Sequence, residues 1–311
     1  MNKSKVINTI YYQLKPLIPR EVQIWMRRRR AALKRKLYEG VWPINEQTSG
    51  VPEGWTGWPQ NKKFALVLIH DVDTAKGHER CRNLLEIEKE SGFRSSFNFV
   101  PEGYEVSSKL RRFITDQGFG VGVHGLKHDN KLFSSIEAFK ERAKRINAYL
   151  ADWECRGFTS PCMYHNLDWI HGLEIDFDTS TFDTDPFEPQ SDGVCTIYPF
   201  WVAGNSEDKG YVELPYTLPQ DHCLFIILQE KDISIWKKKL DWIAERGGMA
   251  LLNTHPDYMA FKRGGLRREE YPVENYIEFI DYVKSKYRDQ YWQMLSSEIA
   301  KFWKENMVKK T

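Results

Sequence analysis

FALVLIHDVD, residues 64 to 73, is an apolar run that ends in two aspartates one residue apart. The run is strand-like and delivers ionisable residues at its C-terminal end. Two further strand-like runs deliver ionisable residues in the same way, into HGLKH at 124 to 128 and within LLNTHPDY at 251 to 258. In a parallel α/β sheet or barrel the C-terminal ends of the strands converge on one rim. Asp71, Asp73, His124, His128 and His255 are therefore expected to share a pocket despite their separation along the chain.

Outward from this stretch the pattern is regular. Strand-like runs are expected at 64 to 70, 95 to 100, 119 to 123, 155 to 160, 174 to 177, 224 to 230, 248 to 254 and 290 to 295. Helical spacing is expected at 78 to 90, 107 to 117, 134 to 151, 234 to 246, 273 to 287 and 296 to 308. The clearest helix is 134 to 151, where Ile136, Phe139, Ala143, Ile146 and Leu150 recur at helical intervals behind two serines. Such alternation predicts one mostly parallel α/β domain, wound or barrel-like, over 64 to 311, with a rim insertion near 178 to 222 where Asp, Pro and Tyr break the rhythm. Residues 41 to 63, with Pro43, Pro52 and Pro59, read as an irregular linker that wraps the domain, because Trp42, Trp55 and Trp58 are costly to leave in water.

Charge is uneven. Residues 1 to 40 hold 11 Lys or Arg against two Glu, a balance of +9, and the other 271 residues carry −7. This basic arm, densest in WMRRRRAALKRKLY from Trp25 to Tyr38, has good helix formers and is expected either to pack on the domain as a solvated helix or to touch an anionic membrane surface peripherally. Nucleic acid is not expected as a partner. No apolar run approaches the roughly 18 residues of a membrane span, and the first residues lack the apolar core of a secretory signal. Five cysteines without a CxxC pair argue against both a disulfide framework and a cysteine zinc site, so a cytoplasmic location is the expectation.

The chemistry rests on ligand types. Two imidazoles three residues apart, His124 and His128, can reach one ion, and one carboxylate completes a facial set with open positions for water and substrate. An ion so held polarises a carbonyl and acidifies bound water, while a second carboxylate can take the proton. Asp71 and Asp73, two apart on an extended segment, face the same side and offer both roles. The same ligand set also suits an oxygen-using iron enzyme.

HDVD, HGLKHD, GFTSP, the FDTST region and LLNTHPDY, in this order over residues 64 to about 300, resemble the five motif regions of the polysaccharide deacetylase family, also called NodB-homology or carbohydrate esterase 4. The resemblance implies a distorted (β/α) barrel, a divalent metal on one Asp and two His, and hydrolysis of acetyl groups on amino sugars. It implies Asp71 as base, Asp73, His124 and His128 as metal ligands, and His255 as the group that protonates the leaving amine. The family usually has the two aspartates adjacent, although variants with one intervening residue occur. Zinc is the first expectation for the metal, with cobalt, nickel, iron or manganese as alternatives. The substrate implied is an acetylated amino sugar of a polysaccharide or its precursor, with Thr159, Pro161 and Asp178 placed near it or behind the ligands.

One departure stands in the third motif region. The family commonly has an arginine where Thr159 stands, a guanidinium that orients the base. Threonine carries no charge, so a catalytically weak or silent scaffold or binding protein in cell-surface glycan synthesis is the alternative reading. His165 is a nearby cation that could substitute.

Overall fold

A computed structural model describes residues 19–204, 209–261 and 266–308. The part of the basic arm before residue 19 lies outside the described residues. Eleven strands are present among the described residues: β1 (Phe64–Val72), β2 (Ser96–Phe99), β3 (Gly120–His124), β4 (Gly157–Thr159), β5 (Phe177–Asp178), β6 (Phe200–Ala203), β7 (Gly210–Glu213), β8 (Met249–Thr254), β9 (Met259–Ala260), β10 (Tyr271–Pro272) and β11 (Tyr291–Gln293). The helices are α1 (Arg20–Leu37), α2 (Ala75–Ser91), α3 (Ser108–Asp116), α4 (Ile136–Asp152), the single turn α5 (Leu167–Ile170), α6 (Ser234–Arg246), α7 (Glu274–Lys286) and α8 (Ser296–Trp303).

The main sheet runs β11-β1-β2-β3-β4-β5-β7-β6, with β8 on the other edge of β1. Every pairing in it is parallel except β6 with β7. Between β5 and β8 the curl is carried by an extended segment, with parallel bridges Phe182↔Tyr216 and Leu218↔Leu252. The result is the distorted (β/α) barrel that the sequence motifs imply. β1 is buried over its full length because β8 and β2 flank it and helices cover the sheet. α4 starts as its Ser-Ser signal predicts: the Ser135 hydroxyl accepts the Ala138 N–H at 3.1 Å.

One expected strand is absent. Residues 224 to 230 do not pair in the sheet, because His222–Ile227 forms a π-helical turn with Cys223 to Ile227 buried. A short continuous apolar run carries no period that separates a strand from a buried helical turn. The segment read as a rim insertion contains β6 and β7, an antiparallel pair at the end of the sheet.

The linker is part of the domain. Trp42 and Trp58 are buried, Trp58 donates its indole N–H to the Gly247 carbonyl at 2.8 Å, and Trp55 packs on Trp58 and Trp303. α1 also docks on the barrel. It buries Ile24 and Ala31, and Arg28 donates to the Ile226 carbonyl at 2.9 Å on the π-helical turn.

Candidate metal centre and active site

The parallel strands deliver the chemistry to one rim. Asp71 lies near the end of β1 and Asp73 just beyond it; His124 ends β3, Thr159 ends β4, and His255 follows β8. Asp71, Asp73, His124, His128 and His255 line one cavity of about 520 Å³.

Asp73, His124 and His128 each offer a ligand atom, and these atoms lie within 4.8 Å of one another. Oδ1 of Asp73 stands 3.4 Å from Nε2 of His124 and 3.5 Å from Nε2 of His128. That oxygen is buried without a hydrogen-bond partner, a condition that is costly unless a cation occupies the space between the three groups. The His124 ring is set for this: Nδ1 lies 3.1 Å from the Thr159 carbonyl, which fixes the proton on Nδ1 and leaves Nε2 as a ligand. Burial pushes the Asp73 carboxyl up, but the neighbouring histidines, His128 first and His124 with it, outweigh it electrostatically and hold Asp73 well below the usual carboxylate range. A metal ligand must be ionised, and this one is. The residues therefore fit a divalent cation.

Asp71 is buried and gripped at both oxygens. Asn98 donates to Oδ1 at 2.9 Å and Asn253 to Oδ2 at 2.7 Å. Both donors are neutral carboxamides, so the side chains that fix the Asp71 carboxylate bring no formal charge to it. Thr159 itself accepts a hydrogen bond from Asn98 at 3.1 Å and shares another with Thr179. His165 does not substitute: its ring faces the Met163 carbonyl at 3.0 Å and Asp192 at 3.8 Å.

His255 is held by Asp221, a residue the motif reading passed over. Asp221 accepts the His255 backbone N–H at 2.8 Å, contacts Nδ1 at 2.7 Å, and accepts the Tyr271 hydroxyl at 2.9 Å. Burial lowers the His255 pKa, but the Asp221 charge and hydrogen bond overcome it and raise the imidazolium to about 10. With Nδ1 engaged, Nε2 is the nitrogen left for the cavity that His255 lines.

Asp257 was also missed. It accepts the Asp73 backbone N–H at 3.0 Å and the Thr74 hydroxyl, at the start of α2. Asp257 thus ties down the turn between β1 and α2, whose N-cap residue Thr74 makes no side-chain cap of its own. Pro161 packs on Gly125, whose positive φ of 61° sets the turn between His124 and His128. Asp178 sits inside the β-sheet, accepting the Ser180 hydroxyl at 2.5 Å, and neither it nor Pro161 is among the cavity-lining residues. The signals for the missed residues were weak. Asn98 and Asn253 are single amides within apolar strands, and Asp221 lies in the stretch read as rim.

Fold and site together define a class: a (β/α) barrel of the polysaccharide deacetylase type with an Asp-His-His cluster at its mouth. Among solved structures, a protein described as a polysaccharide deacetylase from Mycobacterium smegmatis matches at 19% identity and TM-score 0.61, covering 84% of this chain and 95% of that one. A second so described, from Pseudomonas aeruginosa PAO1, matches at 16% identity and TM-score 0.61, covering 86% and 99%. An allantoinase matches at 16% identity and TM-score 0.59, with the same coverage of 86% and 99%. At these identities the likeness is one of fold. No family profile and no curated protein matches the sequence.

Proposed function

We propose that this chain is a metal-dependent hydrolase that removes an acyl group, acetyl first, from the nitrogen of an amino sugar in a polysaccharide or its precursor. The observation that carries the reading is the partnerless, buried Asp73 oxygen between His124 and His128, with Asp71 and His255 on the same cavity. The fold likeness to deacetylases supports the substrate class.

A divalent cation on Asp73, His124 and His128, zinc by first choice, would supply Lewis-acid polarisation of the amide carbonyl and a more acidic water. Asp71, fixed by Asn98 and Asn253, takes one proton from the attacking water. The water oxygen bonds to the carbonyl carbon and the C–N bond breaks. Nε2 of His255, protonated through neutral pH, gives its proton to the departing nitrogen, so that an amine leaves and not an amide anion.

The test is metal content and acetate release from a panel of N-acetylated sugars. The wild type is expected to hold one metal per chain and release acetate. Asp71→Asn is expected to keep the metal and lose turnover, and Asp73→Ala to lose both. Unchanged turnover in Asp73→Ala would refute the assignment. The second reading, a silent binding protein, draws on the neutral partners of Asp71. One bound metal with no release from any sugar would establish it.

A further inference from the structure

The outward face of α1 concentrates exposed apolar surface. Val22, Trp25, Met26, Leu33 and Leu37 are 43%, 55%, 41%, 67% and 80% exposed. At 3.6 residues per turn they share the side of the helix opposite the buried Ile24 and Ala31. Of nine exposed large apolar residues in the described chain, seven lie between 22 and 41, so the patch belongs to this helix and its exit. Arg29 and Lys36 stand on the same face, with the Arg29 guanidinium 5.3 Å over the Trp25 ring. The one acid of the helix, Glu21, pairs with Arg268 at 2.9 Å. A dry protein interface disfavours interleaved cations, whereas an anionic bilayer takes apolar side chains below its headgroups and cations among them.

We infer that the outer face of α1 rests on an anionic lipid surface. Sedimentation of the full chain with vesicles tests it. Binding to phosphatidylcholine vesicles containing phosphatidylglycerol is expected to exceed binding to phosphatidylcholine alone by about tenfold or more, and to weaken with salt. Leu33→Asp with Leu37→Asp, both at exposed positions, is expected to abolish it, whereas Val51→Asp, at an exposed position outside the helix, is expected to leave it intact. No binding, equal binding to both vesicles, or a solution dimer broken by the Leu33→Asp change would overturn the inference.

The flank of α1 that meets the cavity carries a separate observation. Arg27, Arg30 and Lys34 line the same cavity as Asp71 and His255. Their neighbours Arg28 and Arg35 are engaged by Ile226 and Glu230, but neither Arg27 nor Arg30 forms an ion pair among the described residues. Glu188, a carboxyl in the cavity wall, is pushed upward by burial and by the Asp185 charge, against the opposing pull of the Tyr216 hydroxyl and the Arg27 charge. We propose that they receive a phosphate carried by the amino sugar, a specificity that rests on the deacetylase reading for its sugar half. Arginine forks suit phosphate oxygens, and with Lys34 already donating to the Pro186 carbonyl the two arginines carry the recognition.

Calorimetry on the zinc-loaded full chain separates the two readings, because it records binding without turnover. N-acetylglucosamine 1-phosphate is expected to bind about tenfold or more tightly than N-acetylglucosamine. The preference is expected to vanish in Arg27→Gln/Arg30→Gln and to survive in Asp71→Asn. Failure to hydrolyse either sugar with the preference intact would count against the deacetylase reading alone. Equal affinities, a preference that outlives loss of both arginines, or N-acetylmuramic acid binding as tightly through its carboxylate would overturn the phosphate assignment.

Discussion

At the scale of the residue, the pairing of His255 with Asp221 decides how the site handles protons. Asp221 stabilises the imidazolium and not the neutral ring, so its removal must lower the His255 pKa from about 10. Asp221→Asn is expected to move the His255 titration downward by about 1–3 units, because an opposite charge at hydrogen-bond distance shifts a pKa by that amount. Histidine ring signals followed by NMR against pH would measure it, and an unmoved titration would exclude Asp221 as the cause. If His255 acts as the acid, the alkaline limb of kcat/KM moves the same way, since the protonated form then survives over a narrower range. Asp71 shows the complementary solution. Its orientation comes from two neutral amides, which hold the carboxylate in place without themselves adding positive charge beside it.

At the scale of the element, β5 and β7 are joined by more than their ladder. Asp178 and Glu213 are register partners, both buried, and each keeps one oxygen without a conventional donor. Burial and the Asp178 charge drive the Glu213 pKa well upward, while burial pushes Asp178 to about 6. Two carboxyl groups so placed hold a proton between them. The unfolded chain gives that proton up near the ordinary carboxylate range, so the folded state binds more protons above it and stability falls as pH rises. Glu213→Gln keeps a donor to Asp178 without needing the proton. Its Tm at pH 8 is expected to rise by about 2–4 °C, the shift that about 1 kcal/mol gives a domain of this order of size. Near pH 4 the gain should be absent. A thermal melt of both proteins at the two pH values checks the sign.

At the scale of the whole molecule, the barrel does not begin at β1. Trp42 and Trp58 are nearly as buried as the strands, at 6% and 4% exposure, and α1 forms part of the cavity wall. Trp58→Ala is expected to cost about 3–5 kcal/mol, the usual loss for a large buried aromatic. Urea denaturation would show it as a lower midpoint with an unchanged slope. A chain that starts at residue 64 should unfold at still lower urea, since it loses both the Trp cluster and the α1 contacts.

What the sequence determined by itself was what repeats locally. Apolar runs ending in Asp or His announced parallel strands and the rim on which Asp71, Asp73, His124 and His255 meet, because strand direction alone brings those ends together. Helical spacing placed α4 and α6 within a residue or two for the same local reason. Tertiary structure decided what depends on register between distant segments. Asn98 and Asp221 lie outside every motif, and Asn253 and Asp257 lie within LLNTHPDY without a role that spacing assigns; all four acquire their partners only when folding sets them against Asp71, His255 and Asp73. The turn at 222 to 227 and the docking of α1 belong to the same class. An apolar run or a basic helix states that it needs a surface, and only packing selects which one.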